Sequence, residues 1–358
     1  MHRILHIAPQ NYAGVPYSFY EMHNACGDYS RIITLHKNPL QFSEDICLEL
    51  PLPAFSAAKL WRKRKVEITE LKKVTYPHYF KPANIAEKLY FFLNDTVRRP
   101  AINKVIRDYK LDTFDIIHYD AGLDFFRYPH QAIKWKNAGK KIVCCYYGSD
   151  LRLRGLIKEL DEISDLNITS EYDHLSMKDD LHYIFYPYST KELPGTDRKP
   201  GQKIKIIHSP TNRKYKGTEL ILSVIEKVKK EREIEFILCE GVPRGELLEI
   251  KAGCDISIDQ VGGTMGGTGY GKAGLETLAM GIPTITNMTR EYENWLPENP
   301  FVVANNADDL FEQLIRLIDD EEYRISNGKA GKDWVEKYHS FESVNKALKE
   351  LYKTKGII

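Results

Sequence analysis

No stretch of this sequence approaches the ~18 consecutive apolar residues of a membrane-spanning helix, which argues against a helical span. Cysteine is sparse. The six residues (Cys26, Cys47, Cys144, Cys145, Cys239 and Cys254) include no CxxC pair, which fits reduced, buried thiols better than a disulfide framework or a zinc site. Charge of one sign is missing too: 51 Lys+Arg against 50 Asp+Glu leave +1, so no global basic field for nucleic acid is expected. No GxxxxGK[ST] run is present, which disfavours ATP hydrolysis of the P-loop kind. No His/Asp/Glu grouping has metal-ligand spacing, so no bound metal is expected. Neither internal repeats nor low-complexity segments occur. The first residues, Met1–Ile7, lack a long apolar core and a small-residue cleavage site. They read as a strand and not a signal peptide, and the expected location is cytoplasmic.

What is present is ordinary globular material, 42% hydrophobic and 28% charged in 358 residues. That length makes two domains the expectation. Short apolar runs at Ile4–Ala8, Arg31–Leu35, Ile116–Tyr119, Lys141–Tyr147 and Leu166–Thr169 read as buried strands. Helical patterns lie between them at Asn84–Tyr109 and Phe125–Ala138. Ser189–Gln202 then turns polar, with Pro194, Gly195, Pro200 and Gly201, and reads as a linker. The alternation restarts with strands at Lys205–His208, Glu235–Cys239, Ile256–Asp259 and Thr284–Thr286. Helices are expected at Thr218–Glu231, Gly245–Ala252, Lys272–Met280, Ala307–Asp319 and Glu321–Lys353. Alternation of this kind predicts an α/β protein of two doubly wound domains, 1–190 and 203–340, each with a parallel sheet. Ligands in such sheets sit beyond the carboxyl ends of strands, so the loops there carry the functional argument.

Two segments of the second domain stand out. In Ile207-His-Ser-Pro-Thr-Asn-Arg-Lys-Tyr-Lys-Gly-Thr218 a strand ends, a loop follows, and Lys216-Gly217-Thr218 opens a helix. Arg213 and Lys216 beside a helix N-terminus suit a diphosphate, which takes charge-assisted donors; the alternative is a solvated basic loop. Seven glycines fall between Gly262 and Gly274, ahead of Glu276. Glycine at that density lets backbone amides approach an anion, and a carboxylate one turn into the next helix can accept bonds from ribose hydroxyls. The alternative is a flexible turn with a capping Glu.

Taken together, His208…Arg213…Lys216-Gly217-Thr218, Glu240-Gly241-Val242, Ala252-Gly-Cys-Asp255-Ile-Ser-Ile-Asp259-Gln260, Gly269-Tyr270-Gly271 and Glu276-Thr-Leu-Ala-Met-Gly281-Ile-Pro283 resemble the donor half of the group 1 (family 4) glycosyltransferases. The match is strong over about residues 203–290 and loose elsewhere. The resemblance implies a GT-B fold, its two sheets facing a central cleft, with residues 341–358 packing back on the first domain. It implies a nucleotide-diphosphate sugar as donor and no further cofactor. Arg213 and Lys216 would grip the diphosphate and Glu276 the ribose. Gly241 and Val242 would line the base pocket, and Gly269, Tyr270 and Gly271 would lie against the sugar or phosphate. Thr268 stands where the family has the first of two glutamates, and Thr211 where it commonly has Arg. Asp259 or Gln260 could supply polar contacts instead.

The first domain would hold the acceptor. After the first strand comes Asn11-Tyr-Ala-Gly14, in the position of a family loop that reaches donor phosphates and acceptor. Tyr147-Gly148-Ser149-Asp150 resembles the family's His-Gly-Ser-Asp turn, and Asp120 stands where a His-x-His pattern often ends. Asp120, Tyr147 and Asp150 therefore join Arg213 and Lys216 as residues expected around the reaction, with His118 a further candidate base. For His118 a satisfied strand-end histidine, and for Asp150 a helix cap, are the ordinary alternatives. The resemblance implies transfer with retention, to a saccharide, a lipid-linked glycan or a natural product. Sugar-nucleotide binding without transfer, and sugar-nucleotide epimerisation, are the alternatives. Lys59–Lys65 packs five basic residues around Trp61, a pattern suited to peripheral contact with anionic lipid or to an ordinary solvated segment.

Overall fold

The computed structural model describes residues 1–38, 42–50, 75–191, 193–196, 203–263 and 269–358. The chain forms two compact units: Met1–Pro187 together with Phe341–Ile358, and Tyr188–Ser340.

The first unit is built on seven parallel strands, β1 (Arg3–Ala8), β2 (Tyr29–Thr34), β3 (Ile46–Cys47), β4 (Ile116–Asp120), β5 (Lys141–Tyr146), β6 (Leu166–Thr169) and β7 (Leu181–Tyr183). Their order across the sheet is β3-β2-β1-β4-β5-β6-β7. The second unit has five, β8 (Ile204–His208), β9 (Ile234–Leu238), β10 (Ile256–Gln260), β11 (Thr284–Thr286) and β12 (Val302–Val303), in the order β12-β11-β10-β8-β9. All their pairings are parallel. Helices cover both faces of such sheets, so strands read as unbroken apolar runs: β1 and β5 are each buried at every position after the first.

Two helices differ from the sequence pattern, each for a local reason. The helix expected from Phe125 begins only at His130. Pro129 precedes it, and the buried Asp124 carboxylate accepts the N–H groups of Gln131 (3.0 Å) and Ala132 (3.3 Å) at its first turn. Burial lifts the Asp124 carboxyl to about 7 despite these bonds. The run Glu321–Lys353 is two helices, Glu321–His339 and Phe341–Thr354, because Ser340 is extended. The His339 carbonyl accepts the Tyr188 N–H (2.8 Å) in place of a helical continuation.

Helix Phe341–Thr354 closes the first unit. Lys349 pairs with buried Asp28 at 3.0 Å, and the Tyr352 hydroxyl bonds His118 Nε2. Behind that bond lie three buried imidazoles: His6 is 4.5 Å from His118 and 5.4 Å from His23, centroid to centroid. Neither ring nitrogen of His23 has a hydrogen-bond partner among the described residues. Burial, then the neighbouring histidines, hold His23 and His118 well below the usual imidazole value. The fold thus requires them neutral, while in the unfolded chain they take up protons below about pH 6.5. Their stabilisation is complete above that pH and declines below it, by up to ~1.4 kcal/mol per pH unit for each histidine. His23→Phe should therefore flatten the fall of the urea midpoint between pH 7 and pH 5. Identical slopes in the two proteins would contradict the account.

Candidate functional site

Most sequence-predicted residues of the second unit converge at the carboxyl ends of β8 and β10. His208, the last residue of β8, bridges outward: Nδ1 donates to the Ile258 carbonyl (2.8 Å), which leaves Nε2 to accept from the Thr218 hydroxyl (2.9 Å). Burial lowers its pKa, so it is a neutral brace between β8, β10 and the helix Thr218–Glu231. The loop after it carries the short helix Arg213–Lys216, capped by Asn212, whose side chain accepts the Tyr215 N–H. Gly217 ends that turn with φ +66°, and a β-carbon there would lie 1.8 Å from the Val261 carbonyl oxygen. No other residue permits both the left-handed backbone and that approach.

The tight crossing aims Lys216 inward. Its ammonium donates to Asp259 Oδ1 (2.7 Å) and Gln260 Oε1 (3.1 Å). Asp259 Oδ2 accepts the Gly271 N–H (2.8 Å), and Gln260 Nε2 donates to the Gly269 carbonyl (3.1 Å). The lysine, the two polar residues closing β10 and the glycine turn opening helix Lys272–Ala279 thus form one cluster. The Asp259 side chain is fully buried. Burial alone would raise its carboxyl; Lys216 and the Gly271 amide outweigh that and hold it below the usual range. A β-carbon on Gly271 would sit 2.6 Å from the Lys216 ammonium and 2.9 Å from Asp259 Oδ1, so a side chain there would displace the ion pair.

Tyr270 stands between Gly269 and Gly271 in this turn. Its ring is buried against Phe301 and Trp334, with the hydroxyl bonded to His339 (2.7 Å), so the turn presents only backbone there. Arg213 is exposed and bridges Glu219 (2.9 Å) and Glu240 (2.8 Å), bringing it to the Glu240-Gly241-Val242 loop. At Gly241 (φ +68°) no atom lies within 4 Å of a β-carbon position, whereas Val242 packs on Ile207, Cys239 and Cys254.

Glu276 is not an open carboxylate. Lys251 donates to its Oε2 at 2.6 Å, and Arg244 Nε approaches Oε1 at 3.3 Å. Burial pushes the Glu276 carboxyl up, but the two cations prevail and keep it ionised. Lys251 and Arg244 both come from helix Arg244–Ala252 and were not anticipated. The sequence carries no clear signal of this pairing: in Arg244–Ala252, with Glu246 and Glu249 in the same run, Lys251 reads as a residue of a solvated helix face.

In the first unit the picture is of engaged groups. Gly14 (φ +72°) is the left-handed residue from which helix Val15–Ala25 starts. Asp120, at the end of β4, is buried; it accepts the Tyr147 hydroxyl and faces His6 Nδ1 at 3.1 Å. Burial, then Asp120, drives Tyr147 well above the usual phenol value, which keeps it a donor. Asp150 accepts the backbone N–H groups of Tyr147 (2.9 Å), Gly148 (2.9 Å) and Leu151 (2.7 Å). It holds the turn ahead of the short helix Asp150–Arg154, and His118, bonded to Tyr352 and Cys145, is a satisfied core histidine. Neither is placed as a base. Thr268 and the basic run Lys59–Lys65 lie outside the described residues.

No protein-family model and no curated protein matches this chain. Solved structures do match. The Anabaena protein Alr3699/HepE, in complex with UDP and glucose, shares 11% identity across 99% of this chain and 100% of its own, with a TM-score of 0.59. An alpha-glucosyltransferase in complex with UDP-glucose and DNA containing an abasic site shares 9% across 99% of both chains, TM-score 0.59. The catalytic domain of starch synthase IV from Arabidopsis thaliana, bound to ADP and acarbose, shares 13% across 99% of both, TM-score 0.57. With two parallel α/β sheets and this likeness, the chain has the GT-B fold.

The Lys251–Glu276 pair makes a test of the site's internal chemistry. Lys251→Met leaves the buried carboxylate with only the half-exposed Arg244 at 3.3 Å and should cost about 3 kcal/mol in urea unfolding, whereas Lys251→Met with Glu276→Leu should regain most of that. A double variant as unstable as the single one would show that the pair is not the source of the loss.

Proposed function

We propose that the chain is a glycosyltransferase that moves a sugar from a nucleoside-diphosphate donor to a hydroxyl acceptor, with retention and without a bound metal. The observation that carries this reading is the cluster of Lys216, Asp259, Gln260 and the Gly269–Gly271 turn beyond β8 and β10, in a GT-B chain. As the bond from the anomeric carbon to the diphosphate breaks, its electron pair passes to a phosphate oxygen. Groups placed to meet that charge give the largest electrostatic gain. Lys216 supplies one such group. Among the described residues two of its three donors are used, and a phosphate can replace Gln260 or share the ammonium with Asp259. Arg213 is the second cation; its partners Glu219 and Glu240 are solvent-accessible and exchangeable. The acceptor oxygen bonds the anomeric carbon while its proton goes to the departing phosphate. That course needs no enzyme base, in keeping with the engagement of Asp120 and Asp150 inside the first unit.

Glu276, held ionised by Lys251, keeps lone pairs for the ribose hydroxyls. The loop at Gly241, open at the β-carbon position, admits the base. Solved structures of similar fold carry UDP, UDP-glucose or ADP, which supports a nucleotide-sugar donor.

A panel of UDP, GDP, ADP, CDP and dTDP, with AMP as control, tests the donor site by thermal shift. One diphosphate at ~100 times its dissociation constant should stabilise the protein by ~2.7 kcal/mol. Arg213→Ala, at an exposed position, should weaken that ligand about 10-fold or more, the scale of a charge-assisted hydrogen bond. The matching donor sugar should then be slowly hydrolysed without acceptor. Silence across the panel would overturn the donor reading; binding without turnover over an acceptor screen would favour a sugar-nucleotide-binding protein.

A further inference from the structure

Helix Ile85–Asp108 is arranged inside out over its first half. Its acidic residues are buried and committed: Glu87 accepts the Ala83 N–H, and Asp95 accepts the N–H groups of Arg127 (3.0 Å) and Tyr128 (3.5 Å). Its large apolar residues point to solvent. Ile85 is 85% exposed, Leu89 54%, Phe92 66%, Leu93 53% and Val97 79%. At about 100° per residue these positions share one side of the helix, opposite Glu87 and flanking Asp95. Soluble surfaces carry single exposed apolar side chains routinely, but a contiguous row of five marks a contact surface.

Charge identifies the contact. Lys88, Arg99, Lys104 and Arg107 are exposed on the same helix, Lys88 and Arg99 along one flank of the row and the other two beyond it. The only exposed carboxylate of the helix is Asp108, at its last position. Two copies meeting face to face through this row would bring like charges together. An anionic bilayer instead takes the apolar side chains among its acyl chains and the four cations at its phosphates.

We infer that the exposed face of helix Ile85–Asp108 is a docking surface for anionic lipid bilayers. The assignment is independent of the transfer reading, which gives nucleotide binding to the second unit. The full chain is tested by co-sedimentation with vesicles of phosphatidylcholine alone and of phosphatidylcholine mixed with phosphatidylglycerol. Wild type should partition onto the mixed vesicles and not the neutral ones, and release at high salt. Leu89→Ser/Phe92→Ser/Val97→Ser and Lys88→Gln/Arg99→Gln/Lys104→Gln should each lower the partition coefficient at least about 10-fold. These side chains are exposed, Arg99 alone lying over a ring (Phe126, 5.9 Å), so both variants should melt close to wild type, and a matching melt excludes misfolding as the cause. Absence of wild-type binding overturns the assignment. So does loss confined to a variant with Arg62, Lys63, Arg64 and Lys65 replaced by Ser, or a wild-type dimer in light scattering that the apolar variant dissociates.

Discussion

A carboxylate at the end of a buried strand has to be neutralised where it stands, and in the second unit that requirement falls on Asp259. Its side chain has no access to solvent, so Lys216 must reach it from the loop after β8, and the Gly271 amide from the start of helix Lys272–Ala279. The rest follows sterically. Lys216 is aimed at Asp259 by a turn that closes on Gly217, within contact of the Val261 carbonyl. A β-carbon on Gly271 would push the Lys216 ammonium from its place, and one on Gly274 would meet Asp259 Cβ at 3.2 Å. Glycines that in sequence suggest only a backbone adapted to a ligand are, at these two positions, the space an internal ion pair needs.

Around the residues that the sequence singles out, the two units hold buried polarity differently. The second pairs full charges, Lys216 with Asp259 and Lys251 with Glu276, so its polar groups are ionised and held by opposite charge. The first, besides the Asp28–Lys349 pair, gathers hydrogen-bonding groups around one carboxylate: Asp120 sits between His6 and Tyr147, near His23 and His118, which burial keeps unprotonated. An anionic ligand can share a cation that already stands at a strand end, as Lys216 does. On the proposed reading this places the anionic donor with the second unit, and leaves to the first the uncharged partner of the reaction.

Much of this was legible in one dimension. Strands with both faces covered announce themselves as apolar runs, and β6, β11 and the helices Thr218–Glu231 and Ala307–Asp319 begin and end where the pattern puts them. Gly217 and Asn306 fix those two helix starts chemically. Edge strands β3 and β12, two residues each, are too short to show a period. Order along the chain sufficed to bring Lys216 to the glycine turn, because doubly wound sheets collect their strand-end loops. It could not reveal that Lys251 faces Glu276, since that pairing depends on how two helices separated by β10 cross. Nor could it distinguish the Tyr270 backbone, beside the cluster, from the Tyr270 ring, which belongs to the core.

The last helix has a bearing on how the protein comes into being. The first unit is discontinuous: Met1–Pro187 is completed only by Phe341–Ile358. Until that helix leaves the ribosome, Asp28 has no Lys349, His118 has no Tyr352, and the apolar surface that Leu348 and Val344 cover is bare. The second unit, continuous in sequence, can close first although it is synthesised later. N-terminal segments usually lead during synthesis; here the first half lacks its closing helix until Phe341–Thr354 has been made, and until then the surface that helix covers is open to chaperones and to misassembly.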